Sequence, residues 1–206
     1  MNTVDGIVFV LDDEPEMVKA LTRILKAKHF VVHGFTSVPE FLAACDPEVT
    51  ACLVLDIAMP GLDGLELQQL LLHHGIHIPI VFLTGHGDIP SSVRAIKAGA
   101  TDFLTKPVDA EVLVSAVGAA LREAADRRTV IAETADLAAR LDSLTSRERE
   151  VLEHVVSGQL NKQIAGDLGT GEQNIKLHRA HVMKKMGVET LADLVRAAER
   201  LGIDGQ

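Results

Sequence analysis

Leu53-Val54-Leu55-Asp56 is the stretch from which the fold of this chain is predicted. Three apolar residues lead directly into a carboxylate, and Met59-Pro60-Gly61 then interrupts regular structure. A short apolar run between such breakers is typical of a strand that is buried on both faces of a sheet. An acid at the end of that strand lies at the carboxyl edge of a parallel sheet, where open α/β sheets bind their ligands. Taken alone, Asp56 is explained more simply as a cap of the following loop.

The composition fits one large or two small domains, because the chain has 206 residues of which 47% are hydrophobic. Aromatic residues make up only 3% of the chain, with no Trp or Tyr, so its cores must be aliphatic. No apolar run approaches a membrane span and no basic, apolar leader opens the chain, which predicts a soluble cytoplasmic protein without a membrane partner. Cys45 and Cys52 lack the spacing of a metal motif or a disulfide framework, and we expect small buried thiols.

The net charge of −9 is distributed unevenly along the chain. Residues 1–124 contain 16 acids and 8 bases, whereas residues 143–206 contain 9 of each. Residues 171–186 form a basic stripe with a single acid, and its cationic and titratable members are Lys176, His178, Arg179, His181, Lys184 and Lys185. An acidic half joined to a half with a basic stripe suggests two different tasks, although charged helix faces are usually only solvated.

Five apolar runs alternate with helical patterns in residues 1–124. The runs cover residues 6–11, 31–35, 53–56, 78–84 and 101–105. The helices are predicted to begin at Pro15, Ser37 and Asp63, to cover residues 90–98, and to run from about Asp109 to Arg122. Such alternation implies a parallel sheet covered on both faces, with right-handed crossovers. The predicted class is α/β, a doubly wound five-stranded parallel sheet of the flavodoxin type.

Polar side chains follow four of these strands at the edge where their carboxyl ends meet. Asp12 and Asp13 follow the first strand, Asp56 ends the third, Thr84 the fourth, and Lys106 follows the fifth. Three clustered carboxylates are costly to keep ionised unless a cation joins them, and oxygen ligands suit Mg²⁺. An ammonium and a hydroxyl suit a phosphoryl group, for which an aspartate can be the nucleophile. Singly, each residue is explained as a cap, a turn residue or a surface charge; jointly they favour a site.

On these residues, the span 1–124 resembles a response-regulator receiver domain. The resemblance implies that Asp56 accepts a phosphoryl group from a sensor histidine kinase, and that Thr84 and Lys106 bind its oxygens. It implies Mg²⁺ held by Asp12, Asp13, Asp56 and the main-chain carbonyl of Ala58.

The resemblance also implies a conformational switch made by Thr84 and Phe103, and a cis bond between Lys106 and Pro107. The stretch Leu83-Thr84-Gly85-His86-Gly87-Asp88-Ile89-Pro90 is most similar to the FixJ-type branch. Within it, we interpret His86 as an ordinary loop histidine.

Residues 125–142 are rich in Ala, Arg and Glu and contain no Gly or Pro, so they are not a flexible tether. We predict an extension of the preceding helix followed by a partly helical connector. Beyond it, Thr145-x-x-Glu148 has capping-box spacing, and short amphipathic patterns follow over residues 161–168, 172–185 and 190–201.

Two short helices joined by a Gly-containing turn fit a helix-turn-helix, whose second helix enters the major groove of DNA. The predicted DNA-contact residues on the second helix are Asn174, Lys176, Leu177, His178, Arg179 and Lys184. On the pattern alone, a small helical bundle with a charged face is equally well supported.

Residues 143–203 resemble the LuxR/NarL-type effector domain. The likeness rests on residues 144–152, Asn161-Lys162-Gln163-Ile164-Ala165 and Ile175-Lys176-Leu177-His178-Arg179. Gly171 stands where the family usually has a capping Ser, and a Gly cap costs only a few tenths of a kcal/mol. This departure concerns the base readout and not the binding of DNA.

The resulting hypothesis is a bacterial two-component response regulator, not an enzyme beyond Mg²⁺-dependent phosphorylation and dephosphorylation of itself at Asp56. Its domains are a receiver (1–124), a helical linker (125–142) and a LuxR-type helix-turn-helix domain (143–206). Phosphorylation would drive homodimerisation through residues 90–98 and the fifth strand, and binding to a two-fold promoter site, with RNA polymerase as a candidate partner. The rivals are an aspartyl-phosphate enzyme and a DNA-binding protein that works unphosphorylated.

Overall fold

The computed structural model describes residues 5–85 and 99–203. The chain divides into two compact units, Met1–Arg128 and Thr129–Gln206. The helix predicted for residues 90–98 and the loop around His86 lie outside the described residues. Within the described residues, no helix is long and apolar enough to cross a membrane.

In the described part of the first unit, five strands form one parallel sheet in the order β2-β1-β3-β4-β5. They are β1 (Ile7–Leu11), β2 (Val31–Phe35), β3 (Ala51–Asp56), β4 (Ile80–Thr84) and β5 (Asp102–Thr105). All six residues of β3 are buried, as expected for an apolar run covered on both faces. The doubly wound α/β fold is therefore confirmed.

Helices cover both faces of this sheet. They are α1 (Pro15–Ala27), α2 (Val38–Ala44), α3 (Gly64–His73) and α4 (Ala110–Asp142). Val8 and Val10 pack into a core cluster with α1 and α4, whereas Phe9 and Leu11 pack into a second one with α2 and α3. This alternation follows from the two-residue period of a strand. Because all the strand pairs are parallel, the carboxyl ends of the strands lie at the same edge of the sheet.

The N-cap residue of α3 makes the hydrogen bonds of a helix cap, whereas that of α2 does not. Asp63 forms a complete capping box with Glu66 at the start of α3. Ser37 is the N-cap of α2, but its side chain makes no capping hydrogen bond. Pro39, two residues on, has no N–H to donate, so that hydroxyl lacks one of its two usual partners.

The second unit is helical. It contains the last turns of α4, then α5 (Ser146–Val156), α6 (Asn161–Asp167), α7 (Glu172–Met186) and α8 (Leu191–Arg200). Its core is aliphatic and is built from Val151, Leu152, Val155, Ile164, Ile175, Val182, Met186 and Leu194. The capping box of Thr145 and Glu148 opens α5 as predicted, and the helical second domain is confirmed.

The linker is helical throughout and not in part, because α4 continues without a break to Asp142. Leu137 and Leu141 of its last turns pack against the core of the second unit. Tertiary packing therefore stabilises a stretch whose own sequence predicts only partial helix.

Candidate functional site

Three carboxylates meet at the carboxyl edge of the sheet. Asp12, Asp13 and Asp56 each bring one oxygen to within 4.8 Å of the others. Asp12 and Asp56 are buried, with 0% and 4% of their surfaces exposed, whereas Asp13 faces solvent. The convergence expected from the strand ends is therefore observed. Among residues 5–85 and 99–203, no other group of three His, Cys, Asp or Glu side chains comes together in this way.

Lys106 joins two of these acids. Its Nζ lies 2.7 Å from Oδ2 of Asp12 and 3.1 Å from Oδ1 of Asp56. The loop after β5 holds it there, since its main-chain N–H donates to the carbonyl of Thr84 at 2.6 Å. The Lys106–Pro107 peptide bond is cis, as the resemblance implies. One ammonium thus faces both buried carboxylates.

The electrostatics of the cluster follow from burial and from this contact. Burial raises the pKa of Asp56 above its ordinary value, and the hydrogen bond and charge of Lys106 offset only part of that rise. Burial also lowers the pKa of Lys106, but its hydrogen bonds to Asp12 and Asp56 outweigh this, so that its pKa is raised. Lys106 therefore stays cationic at neutral pH.

The donor set fits a divalent cation of the magnesium kind. Three carboxylates against one ammonium leave the cluster negative. The atoms that the three carboxylates offer to a metal ion are all oxygens, the ligands that Mg²⁺ prefers. Asp12 Oδ1 accepts the N–H of Glu14 at 2.9 Å, which orients that carboxylate. The main-chain N–H of Ala58 donates to the Asp56 carboxylate, so the Ala58 peptide lies beside the cluster.

Thr84 and Phe103 lie on the neighbouring strands β4 and β5. Thr84 is buried at the end of β4, and its hydroxyl donates to the carbonyl of Gly85 at 3.1 Å. Phe103 pairs with Phe82 across the two strands and packs, half-buried, against the cluster that contains Phe41 and Leu67. The hydroxyl and the ring are thus on one side of Asp56.

A second surface is formed by α7 in the helical unit. Asn174, Lys176, Leu177 and Lys184 are exposed on it, and Leu177 has 55% of its surface accessible despite being apolar. His178 and Arg179 are only half-exposed, because they flank the stripe of Ile175, Val182 and Met186 that faces the core. The predicted contact residues thus divide into an exposed set and a pair at the edge of the core.

Two residues that the sequence did not single out for this surface hold its side chains. Asn161, the first residue of α6, accepts a hydrogen bond from Arg179 Nη1 at 2.7 Å. Thr170, in the turn before α7, accepts one from Asn174 Nδ2 at 3.1 Å. The sequence marked Asn161 only as a polar residue at the start of a helix. Helical periodicity does not predict contacts between two helices, so the contact with Arg179 was missed.

Glu148 anchors α7 to α5 from within the helical unit. It is buried, and Lys185 Nζ lies 2.6 Å from its Oε2 while the N–H of Thr145 donates to the same oxygen at 2.8 Å. The hydrogen bond from Lys185, followed by that from the Thr145 N–H, lowers the pKa of Glu148 from 4.5 to about 2. Glu148 is therefore ionised in the folded protein at neutral pH.

We expect Glu148→Gln to destabilise the helical unit at pH 7 by about 1.5–3 kcal/mol, the range for lost hydrogen bonds to a charged group. A depressed pKa stabilises the fold above pH 4.5 and loses that effect as the pH falls from 4.5 toward 2. Calorimetry of the full chain should therefore show the parent and the variant converging between pH 5 and about 3. Glu150→Gln, which removes an exposed acid paired with Arg147, is the control and should be nearly neutral. A loss of stability in Glu148→Gln that is the same at pH 5 and at pH 3 would contradict this assignment.

Both units have recognisable relatives. Residues 8–118 match the response regulator receiver domain family, and residues 142–198 match the luxR family of bacterial regulatory proteins. The chain is 46% identical to nodulation protein W of Bradyrhizobium diazoefficiens, over 96% of this chain and 87% of that protein. It is 39% identical to transcriptional regulatory protein FixJ of the same species, over 98% of each. The solved structure of response regulator StyR is 43% identical, with a TM-score of 0.83 over 94% of this chain and 98% of that chain.

Proposed function

The chain belongs to the response regulators that join a receiver domain to a LuxR-type DNA-binding domain and regulate transcription, and we propose that phosphorylation of Asp56 is its control signal. In this proposal residues 1–124 receive the phosphoryl group, residues 125–142 connect, and residues 143–206 bind DNA. The donor is a sensor histidine kinase. Mg²⁺ is the cofactor, held by Asp12, Asp13, Asp56 and the carbonyl of Ala58.

The observation that carries the proposal is the position of Lys106 between Asp12 and Asp56 at the end of β3. An ammonium that faces two buried carboxylates is already placed to meet the oxygens of an incoming phosphoryl group. A purely structural ion pair would not need Asp13 beside it, since that acid adds repulsion and no packing. The cluster is therefore better explained as a site than as a cap.

The chemistry is a transfer to a carboxylate oxygen. One oxygen of Asp56 forms a bond to phosphorus as the bond from phosphorus to the donor histidine nitrogen breaks, and the imidazole leaves with that electron pair. Lys106 then pairs with a phosphoryl oxygen, and the Thr84 hydroxyl turns from the Gly85 carbonyl to donate to another. Bound Mg²⁺ would supply positive charge against the phosphoryl oxygens. Lys106 and Thr84 thus both bind the phosphoryl group once it is attached to Asp56.

The phosphoryl group acts as a signal because it changes local charge. It carries roughly 1.5 to 2 negative charges at neutral pH, and Thr84 and Phe103 respond by changing the population of two packings. β5 is one of the two edge strands of the sheet and carries Phe103, so this change reaches a surface on which a second copy can dock. A homodimer presents two copies of α7 to a two-fold promoter site, where RNA polymerase is a further candidate partner.

On this proposal, beryllofluoride with Mg²⁺, which mimics a phosphoryl group on aspartate, should convert the chain from monomer to dimer. It should also raise affinity for a duplex that carries its selected operator by about ten-fold or more, because two helices then bind together. Light scattering coupled to gel filtration measures the first effect, and fluorescence anisotropy measures the second.

Asp126→Asn, which removes an exposed acid away from the cluster, is the matched control and should respond like the parent. A chain whose oligomeric state and DNA affinity both ignore beryllofluoride would contradict the proposed switch. It would favour a regulator that works unphosphorylated.

A further inference from the structure

One hydrogen bond joins the two helices of the helix-turn-helix through their side chains. Arg179 Nη1 of α7 donates to Asn161 Oδ1 of α6 at 2.7 Å, and both residues are half-buried. Arg179 lies four residues after Ile175 and three before Val182, so the helical period places it beside the buried stripe. Its guanidinium therefore lies between α6 and α7 and not on the outer face of α7.

The chemistry of this pair is one-sided. Arginine has five N–H donors and no acceptor, so Asn161 must turn its carbonyl oxygen toward Arg179 and its amide NH₂ away. The carbonyl oxygen of the pair is thereby engaged, while the remaining guanidinium N–H groups and the amide N–H groups are donors. A group that complements the pair must therefore be an acceptor, and an anion suits the positive charge best.

The surroundings favour the same kind of ligand. Lys162 follows Asn161 along the chain, and Lys176 lies one turn before Arg179; both side chains are exposed. Within residues 171–186, Glu172 is the single acid. The two helices that the pair joins thus carry further exposed positive charge, and α7 carries a single acid.

We propose that Asn161 and Arg179 form a clamp for one phosphate of the DNA backbone, held between the first and second helices of the helix-turn-helix. Arg179 supplies the charge, and Asn161 is both a ligand, through its amide N–H groups, and the positioning residue of Arg179. The proposal deepens the proposed function and rests on the binding of α7 to DNA, but not on phosphorylation of Asp56. It assigns Arg179, predicted from the sequence only as a DNA-contact residue, to the DNA backbone, and it adds Asn161 to the interface.

A clamped arginine binds phosphate better than a free one because its side chain is ordered before DNA arrives. Loss of Asn161 should therefore weaken binding through Arg179, beyond the loss of its own amide contact. This predicts coupling between the two residues: once Arg179 is absent, removing Asn161 should have little further effect on DNA affinity.

The test is a set of anisotropy titrations of a labelled random-sequence duplex with the full chain, at several low salt concentrations. A random sequence is the right probe because phosphate contacts act on any duplex. We expect Arg179→Ala to weaken binding about 5- to 20-fold and to reduce the slope of log affinity against log salt by about 1. Asn161→Ala should weaken binding about 3- to 10-fold, and the double variant should bind no more than about two-fold more weakly than Arg179→Ala.

Asn161→Asp provides a second arm that keeps an acceptor for Arg179. Its carboxylate would pair with the guanidinium and repel a phosphate, so it should bind less well than Asn161→Ala while retaining the thermal midpoint of the parent. Arg149→Ala, which removes an arginine paired with Asp142, controls for loss of one positive charge and should change affinity less than two-fold.

Three results would each overturn the clamp. The first is a double variant whose loss of affinity equals the product of the two single losses. The second is an unchanged salt slope in Arg179→Ala, and the third is parent-like binding by Asn161→Asp. Because no arm uses a phosphoryl group, failure of the switch at Asp56 would leave these titrations unaffected, and the two failures can be told apart.

Discussion

Asp56→Asn should abolish phosphoryl acceptance while leaving the fold intact. The amide has nearly the shape of the carboxylate, and its oxygen can still accept from Lys106 and from the Ala58 N–H. It cannot act as the nucleophile, because the carbonyl oxygen of an amide carries no negative charge. Incubation with acetyl phosphate and Mg²⁺, followed by intact-mass measurement, should show the added phosphoryl group on the parent and none on the variant.

The stability of the same variant separates loss of chemistry from loss of fold. We expect its free energy of unfolding to differ from that of the parent by about 1 kcal/mol or less, because Lys106 keeps its contact with Asp12. Asp126→Asn should be phosphorylated like the parent. Labelling that persists in Asp56→Asn would show that another residue is the acceptor, whatever the arrangement of the cluster.

Gly187→Ala should destabilise the helical unit by about 2.5–5 kcal/mol, the sum of a backbone cost and a lost hydrogen bond. Gly187 ends α7 with φ +68, a left-handed conformation that costs an L-residue about 1–2 kcal/mol. A Cβ at this position would also clash with Arg140 Nη1, which donates to the carbonyl of Met186 at 3.1 Å. Moving the guanidinium aside breaks that charged hydrogen bond, worth about 1.5–3 kcal/mol. Thermal unfolding of the full chain, followed by calorimetry, measures the loss.

Gly158→Ala is the matched control, because Gly158 also ends a helix of this unit with a positive φ, of 82°, and has nothing within 4 Å of an added Cβ. It should show the cost of the backbone conformation alone, about 1–2 kcal/mol. In an Arg140→Ala background, Gly187→Ala should cost no more than Gly158→Ala. Equal losses for Gly187→Ala and Gly158→Ala in the parent would mean that Arg140 contributes nothing at the end of α7.

The positions of the cluster residues were predictable because they depend on strand ends. Apolar runs mark the strands, the parallel sheet aligns their carboxyl ends, and Asp12, Asp56 and Lys106 follow from that alignment. The buried stripe of α7 was predictable for a similar reason, since Ile175, Val182 and Met186 recur at helical spacing. Both are repeating patterns that a single element displays in its own residues.

Contacts between elements were not predictable in this way. Arg179 was predicted as a DNA-contact residue of α7, yet its guanidinium turns toward Asn161, and the packing of α6 against α7 determines this contact. The end of α4 was expected to be partly helical, yet Leu137, Arg140 and Leu141 pack on the helical unit and complete the helix. In each case the deciding partner is distant in the chain and on another element.

The sequence by itself therefore determined the two folds, the family and the edge of the sheet at which the acids meet. Local periodicity and strand order specify which residues are buried and where strands end, and the resemblance of the motifs to known families identified the family and the helix-turn-helix. Only the tertiary structure decided that Lys106 bridges Asp12 and Asp56, residues 94 and 50 positions away in the chain, and that Asn161 holds Arg179. The partner of a long polar side chain is selected by the packing of whole elements, because distance in space, and not in sequence, determines hydrogen bonding and charge interaction.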